Sequence, residues 1–281
     1  MGARQTVSGR KRGQTEARPY VNIMGKIITI TLGAFKESVR ERVLYNLIVF
    51  AFLMIGTAIL LGSISVGVEH IILINLGLTA ISLFGLLIAI FIGIGLVSKE
   101  IDRRTIYNIL SKPITRPEFI LGKYAGLLLT LTVNTAIMTA GFYVALAIQN
   151  HGLSWGDLSL LIAVYFILLQ LAVVVSVAIF FSCISGSILS AVFTFCIFVI
   201  GNFSDSIRAF GQESGSATIA KATAGIYYLL PNFSNFNIID HAAHQIPVSG
   251  ILVTANTCYA LLYIAILLSA AILIFEEREF K

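Results

Sequence analysis

Residues 98–123 read SKEIDRRTIYNILSKPITRPEFILGK, and this charged segment decides how the rest of the chain is arranged. It holds three acidic residues, six basic residues and two prolines, and long apolar runs lie on both sides of it. A segment with this many charges is too polar to cross a bilayer as a helix. It therefore predicts an aqueous connection between two membrane-spanning helices.

The composition predicts a membrane protein. Of the 281 residues, 57% are hydrophobic and only 12% are charged, whereas a soluble domain has about 25% charged residues. The net charge of +5 is best explained by basic residues that set topology and contact anionic lipid headgroups. No nucleic-acid-binding motif accompanies this charge, so we expect membrane lipid, and no nucleic acid, as a partner.

Uncharged runs long enough to span a bilayer predict an all-α membrane protein with six transmembrane helices. The predicted spans are about 43–64, 71–97, 117–147, 158–181, 188–201 and 251–275. Residues 1–20 are polar and basic, which predicts a disordered cytoplasmic tail before a single membrane domain at 21–281. A long outer loop, 202–250, separates spans five and six, and we expect it to cap the bundle or dip into the outer interface.

An amphipathic helix is predicted at residues 22–42, just before the first span. Apolar residues repeat there at spacings of three and four, with charged residues on the other side. The pattern suits a helix lying in the headgroup plane, and an ordinary soluble amphipathic helix is the alternative.

Basic residues orient the chain. Nine Lys or Arg lie in the first 42 residues and six lie in 98–123, whereas the loops at 65–70 and 149–157 have none. Six spans with both termini in the cytoplasm place every basic cluster on the cytoplasmic side.

The charged segment itself predicts a helix, a break and a new helix. Glu100 to Leu110 can form a short amphipathic helix that Pro113 ends, because proline lacks the amide donor. Thr115 and Glu118 then have the spacing of a capping box for the third span. The alternative is a solvated loop with basic side chains that reach toward the headgroups.

Residues 99–126, KEIDRRTIYNILSKPITRPEFILGKYAG, resemble the permease subunit of type 2 ABC exporters, in particular the branch for maturation of multicopper enzymes and nitrous-oxide reductase. The shared features are an acidic residue after the second span, an Arg-Thr-hydrophobic run, the Lys-Pro-Ile break before an arginine, and a Gly-Lys pair that opens the next span. Residues 30–47, ITLGAFKESVRERVLYNL, are similar to the N-terminal helix of that family.

The resemblance implies that the charged segment is a coupling helix held by a separate cytosolic ABC ATPase. Polar contacts are then expected from Glu100, Asp102, Arg103 and Arg104, and apolar contacts from Ile106 and Ile109. ATP and magnesium belong to that partner, because this chain has no GxxxxGK[ST] phosphate loop. We expect no cofactor on this chain, a second permease copy as a likewise implied partner, and a location in the cell (inner) membrane.

Two other functions remain open. One is a non-transporting scaffold, a mechanotransmission element or an assembly factor that docks a cytosolic partner through the same segment. The other is a membrane-embedded enzyme, which the absence of HExxH and GxSxG motifs disfavours. We also expect no buried charged residue within the spans, which argues against a proton-driven carrier.

Three weaker sequence signals concern a histidine pair, two pairs of small residues and four polar residues at membrane depth. His241 and His244, three residues apart and next to Asp240, are weak candidates for metal ligands, with an exposed helix end as the simpler reading. The pairs Gly122/Gly126 and Ala89/Gly93 have the small-xxx-small spacing that permits close helix packing, within the chain or between copies. Asn46, Asn75, Asn134 and Gln170 are polar residues at membrane depth.

Overall fold

The computed structural model describes residues 23–40, 49–50, 52–54, 56–57, 60, 69–102, 115–149, 157, 159–244 and 246–277. The helices are α1 (Ile23–Arg40), α2 (Glu69–Asp102), α3 (Arg116–Gln149), α4 (Leu160–Ile184), α5 (Ser187–Asn202), α6 (Ser204–Glu213), α7 (Ala217–Leu229), α8 (Ile239–Ala243) and α9 (Gly250–Glu277), with a 3-10 turn at Ser234–Phe236. These ranges contain no strand, which confirms the all-α class for the part of the chain that the structure describes.

Four described helices are long and apolar enough to cross a membrane. They are His70–Ile94, Arg116–Ile148, Leu160–Ile184 and Gly250–Glu277. A fifth span results if α5 and α6, which are bent by 57° relative to each other, count as one. The chain is therefore multi-pass. Most of the predicted first span at 43–64 lies outside the described residues, so six spans remain a prediction.

The core of the bundle is α4, which packs against α2, α3, α5 and α9. Its sequence is apolar on every side, so it has no polar face to turn outward, and such a helix is stable only when it is surrounded. Glycines on α2 bring the two backbones close together: Gly85 leaves room for Leu171, and Gly93 faces the Ala178 Cβ. The Ala89/Gly93 pair thus serves packing within the chain.

The Gly122/Gly126 pair is the site where α1 packs against α3. A Cβ built on Gly122 would lie 2.7 Å from Ile30 Cγ2, and one on Gly126 would lie 2.6 Å from Ala34 Cβ. The Thr31 hydroxyl donates a hydrogen bond to the Gly122 carbonyl at 3.3 Å. These glycines therefore hold α1 against α3, and the same surface is not available to a second copy of the chain.

Helices α1 and α3 run parallel, in the same direction, along their contact. Ile30 meets Gly122 and Ala34 meets Gly126, so four residues along one helix correspond to four along the other. Farther on, Phe50 in the predicted first span lies 3.9 Å from a Cβ built on Gly141, which continues the same alignment. At this contact α1 runs alongside a membrane-span candidate instead of crossing it, and its predicted position in the headgroup plane remains a prediction.

At the opposite end of α3 and α9, the predicted outer loop is folded. The Phe233 N–H donates to the Gly201 carbonyl at 3.0 Å, and the Asn232 N–H donates to the Tyr259 hydroxyl at 2.8 Å. Asp205 accepts hydrogen bonds from Asn232 and from Ser234. Since α8 in turn packs against α2 and α4, the segment 231–243 closes this end of the bundle. We call this segment the cap.

Two glycine-to-alanine variants test the packing of α1 against α3. We expect Gly126→Ala to loosen α1, because the new methyl would also lie 2.8 Å from the Thr31 carbonyl oxygen, which is backbone and cannot rotate away. Overpacking of this kind costs about 1–3 kcal/mol, which exceeds the gain of about 1 kcal/mol in helix propensity. The measurement is the rate of trypsin cleavage within α1 in the purified protein.

The matched control is Gly33→Ala, also in a helix, where nothing lies within 4 Å of the added methyl. We expect this variant to be cleaved at the wild-type rate or more slowly. Equal cleavage rates for the two variants would contradict the packing of α1 against Gly122 and Gly126.

Candidate functional site at the start of α3

The structure extends α2 into the charged segment. The predicted second span ends at Val97, but the helix continues without a break to Asp102. Glu100 and Asp102 therefore belong to the last turns of α2, whereas the sequence predicts a separate short helix beginning at Glu100. Four of the other predicted site residues, and the proline of the break, lie outside the described residues: Arg103, Arg104, Ile106, Ile109 and Pro113.

The start of α3 contains the predicted capping bond. The Thr115 backbone N–H donates to Glu118 Oε2 at 2.8 Å, and the Phe119 N–H donates to the Thr115 carbonyl at 3.1 Å. Glu118 is buried, with 6% of its surface exposed. A carboxylate in the first helical turn also interacts favourably with the positive end of the helix dipole. The chain therefore enters α3 through a fixed backbone turn.

Arg116 ties this turn to the last helix of the chain. Its Nη1 donates to the Phe275 carbonyl at 2.9 Å and also to the Glu276 carbonyl. The rings of Phe119 and Phe275 stack beside these bonds, with centroids 5.9 Å apart. The last carbonyls of a helix have no partner within the helix, so a cationic side chain that binds them acts as a cap. The first turn of α3 thus caps α9.

Lys123 joins the same region to α1. Its ammonium nitrogen lies 3.7 Å from Glu37 Oε2 and 5.7 Å from the centroid of the Phe119 ring. Only 5% of Lys123 is exposed, and a buried cation needs such partners. The prediction that the spans contain no buried charged residue is therefore wrong: both Glu118 and Lys123 lie within the predicted third span, where protein contacts replace water.

These residues make the first two turns of α3 a junction between three parts of the chain. Arg116 contacts α9, Lys123 contacts α1, and Glu118 binds the backbone N–H of Thr115. Each also has further interactions. In the described part of the chain, these contacts connect the backbone at Thr115 to two other helices, α9 and α1.

Sequence reasoning missed the role of Arg116. One signal was available: a basic residue in the first turn of a helix, and acidic residues such as Glu276 and Glu277 in a last turn, both oppose the helix dipole. Two such mismatches indicate that each end interacts with something outside its own helix. The identity of the partner was not visible, because 159 residues separate Arg116 from Phe275.

The two candidate histidines do not form a site with a third ligand in the described part of the chain. Both are exposed, and His244 Nδ1 lies 2.9 Å from the Asp240 carbonyl oxygen. Among the described residues, no group of three or more His, Cys, Asp or Glu side chains could hold a metal ion.

Substitution of Arg116 tests the cap on α9. We expect Arg116→Gln to speed hydrogen exchange of the backbone amides in the last turn of α9 by roughly fivefold, which corresponds to about 1 kcal/mol for a partly exposed charged hydrogen bond. Arg116→Lys should give an intermediate rate, because one ammonium group cannot match the guanidinium fork.

The control for this experiment is Lys221→Gln, which removes an exposed cation on α7. It should leave exchange in α9 unchanged. The cap would be disproved by wild-type exchange rates at the end of α9 in the Arg116→Gln protein.

Comparison with known proteins agrees with this architecture. A search among curated proteins finds none that matches. The model of the family described as ABC-2 family transporter protein matches residues 28–280, which is nearly the whole chain. Members of this family are membrane components of ABC transporters and generally work with a cytosolic ATPase. The chain therefore belongs to the ABC-2 transporter family.

Proposed function

We propose that this chain is the permease subunit of an ATP-driven ABC export complex and that residues 99–111 couple it to a separate cytosolic ATPase. The observation that carries the proposal is the position of the junction. Thr115, four residues after the end of the 99–111 segment, is hydrogen-bonded to Glu118, and the neighbouring Arg116 is bound to α9. A partner that displaces residues 99–111 would therefore move α2, α3 and α9 together.

The family match supports an ATPase partner, and the composition of the charged segment supports where that partner binds. Acidic and basic side chains alternate there with isoleucines, which suits a groove with a polar rim and an apolar floor. In this proposal Glu100, Asp102, Arg103 and Arg104 make the polar contacts, and Ile106 and Ile109 enter the apolar floor. ATP and magnesium are bound by the partner.

The complete complex in this proposal contains two permease copies in the cell (inner) membrane, with both termini of each copy in the cytoplasm. The apolar surface available for lipid or for a second copy is large, since α5 leaves Ile188, Val192 and Phe195 exposed. The resemblance of residues 99–126 supports membership of the permease branch for maturation of multicopper enzymes and nitrous-oxide reductase.

A mechanical role is the second candidate, and the cap favours it. The cap is held by hydrogen bonds to Asp205 and Tyr259, so it has a defined surface at the end of the bundle remote from the junction. In that role the ATPase would move the cap against an outer partner, and no molecule would cross the membrane.

Charge reversal tests the coupling segment. We expect the double variant Asp102→Lys with Arg104→Glu to insert normally but to lose binding of its cytosolic ATPase partner. Loss of charged partners at an interface costs about 2–5 kcal/mol, so binding should weaken more than tenfold. The measurements are co-purification of the ATPase and the stimulation of its ATP hydrolysis by the permease.

The matched control is Arg208→Glu, a charge reversal on α6, whose guanidinium lies 4.5 Å from the centroid of the Tyr227 ring at the cap end. It should leave ATPase binding intact. Normal binding and normal stimulation by the double variant would refute the coupling role of the segment.

A further inference from the structure

The middle of α3 contains three buried polar side chains that lack hydrogen-bond partners. They are Asn134, Thr135 and Thr139, which are 2%, 1% and 7% exposed. Within the described part of the chain, no group bonds to the side-chain oxygen or nitrogen of Asn134 or to either threonine hydroxyl. Buried polar groups in proteins are nearly always paired, so this cluster on one helix requires an explanation.

The two threonine hydroxyls differ from other buried hydroxyls of the bundle. A serine or threonine in a helix can donate to the backbone carbonyl three or four residues earlier. On the same helix, Thr130 donates to the Gly126 carbonyl at 2.9 Å. Buried hydroxyls on other helices make the same local bond: Ser38, Ser176, Ser182 and Thr194. Thr135 and Thr139 do not, so their hydroxyls are available to another molecule.

Contacts between α2 and α3 lie on both sides of these residues along the helix. A Cβ built on Gly77 would lie 2.4 Å from Phe142 Cδ2, and one built on Gly93 would lie 3.9 Å from Leu127 Cδ1. Residues 134–139 lie between these two contacts, in the interior of the span candidate Arg116–Ile148. Their polar atoms are enclosed by protein, so a lipid or a solute cannot reach them. Only a molecule as small as water can be their partner.

The chemistry of the partnerless atoms also suits water. The Asn134 amide nitrogen donates, its carbonyl oxygen accepts, and each threonine hydroxyl can do both. A cation would need acceptors only and an anion would need donors only, whereas water uses the two kinds together. None of residues 134–139 is charged. A buried water usually makes about three hydrogen bonds, which these side chains can supply.

We propose that residues 134–139 form an internal water site in the middle of the bundle. Thr135 and Thr139 share a helix face at a spacing of four, and Asn134 lies beside them. Water bound to these three side chains supplies the hydrogen bonds that the surrounding helices do not, in a region where lipid offers none. The site belongs to the chain by itself, so it does not depend on the proposed ATPase partner or on transport.

Met138 is a natural reporter for this water, because it is 1% exposed and lies one helical turn after Asn134 and Thr135. The purified full chain in phosphatidylcholine nanodiscs is exposed to X-ray pulses, which convert water into hydroxyl radicals that oxidise nearby methionines to the sulfoxide. A membrane-impermeant scavenger removes radicals formed in bulk water. We expect mass spectrometry to show several-fold faster oxidation of Met138 than of Met54, which is 2% exposed and packs beside Gly77.

Variants of similar shape identify the side chains that hold the water. Thr135→Val together with Thr139→Val removes both free hydroxyls and should slow oxidation of Met138 to the rate of the reference methionine. Asn134→Leu should slow it as well. Both variants replace unpaired polar groups by apolar ones, so we expect them to fold. The matched control is Thr130→Val, which removes a buried hydroxyl that is already paired and should leave the oxidation of Met138 unchanged.

Four results would overturn the proposal. These are oxidation of Met138 no faster than that of Met54, an unchanged rate in the double threonine variant, an equal loss of oxidation in the Thr130→Val control, and a rate for Met138 that changes when sodium and potassium are removed from the buffer. The last result would assign the site to a cation instead of water.

Discussion

The structure depends on the requirement that charged groups at the start of α3 find partners within the protein. Glu118 and Lys123 are both almost fully buried, and a buried charge without a partner would destabilise the fold by several kcal/mol. Glu118 accepts a hydrogen bond from the Thr115 N–H, and Lys123 pairs with Glu37 of α1. Satisfying these charges therefore fixes both the entry of the chain into α3 and the place where α1 docks.

The same junction reaches the far end of the molecule through α9. Arg116 holds this helix near Phe275, and the Tyr259 hydroxyl on the same helix accepts a hydrogen bond from the cap at Asn232. Sixteen residues of helix between Phe275 and Tyr259 span about 24 Å at 1.5 Å per residue. Because α9 is one continuous helix and a helix is stiff along its axis, it forms a rigid link between the junction and the cap. Transport and mechanical signalling both require such a connection.

The positions of the apolar helices follow closely from the sequence, since charge and hydropathy define where a chain can enter lipid. The predicted spans 117–147 and 251–275 correspond to α3 and α9, and the predicted break near Ser185 separates α4 from α5. Helix ends outside lipid are less visible. Hydropathy ends the second span at Val97, but the backbone hydrogen bonds of α2 continue to Asp102, because a helix does not need lipid to propagate.

The pairwise contacts of the site could not be predicted in the same way. The GxxxG spacing of Gly122 and Gly126 indicates close packing but does not identify the partner, which the structure shows to be α1. Likewise, a single arginine carries no signal for a carbonyl far along the chain. A local sequence pattern shows whether a helix face is apolar, charged or made of small residues. Only the folded bundle shows which other element packs against that face.

The bundle itself divides into a tightly packed part and a more exposed part. The α2–α4 contact is interlocked, because Gly85 receives Leu171 and Gly93 faces Ala178, so a shift of one helix would create a clash or a void with the other. In α5, by contrast, only Ser190, Thr194 and Gly201 are buried. Its polar contact with α4 near the cap is the Asn202–Gln170 bond, and polar contacts between membrane helices contribute only about 1 kcal/mol each. A rearrangement that opens the bundle therefore costs less free energy at α5 than at the α2–α4 contact.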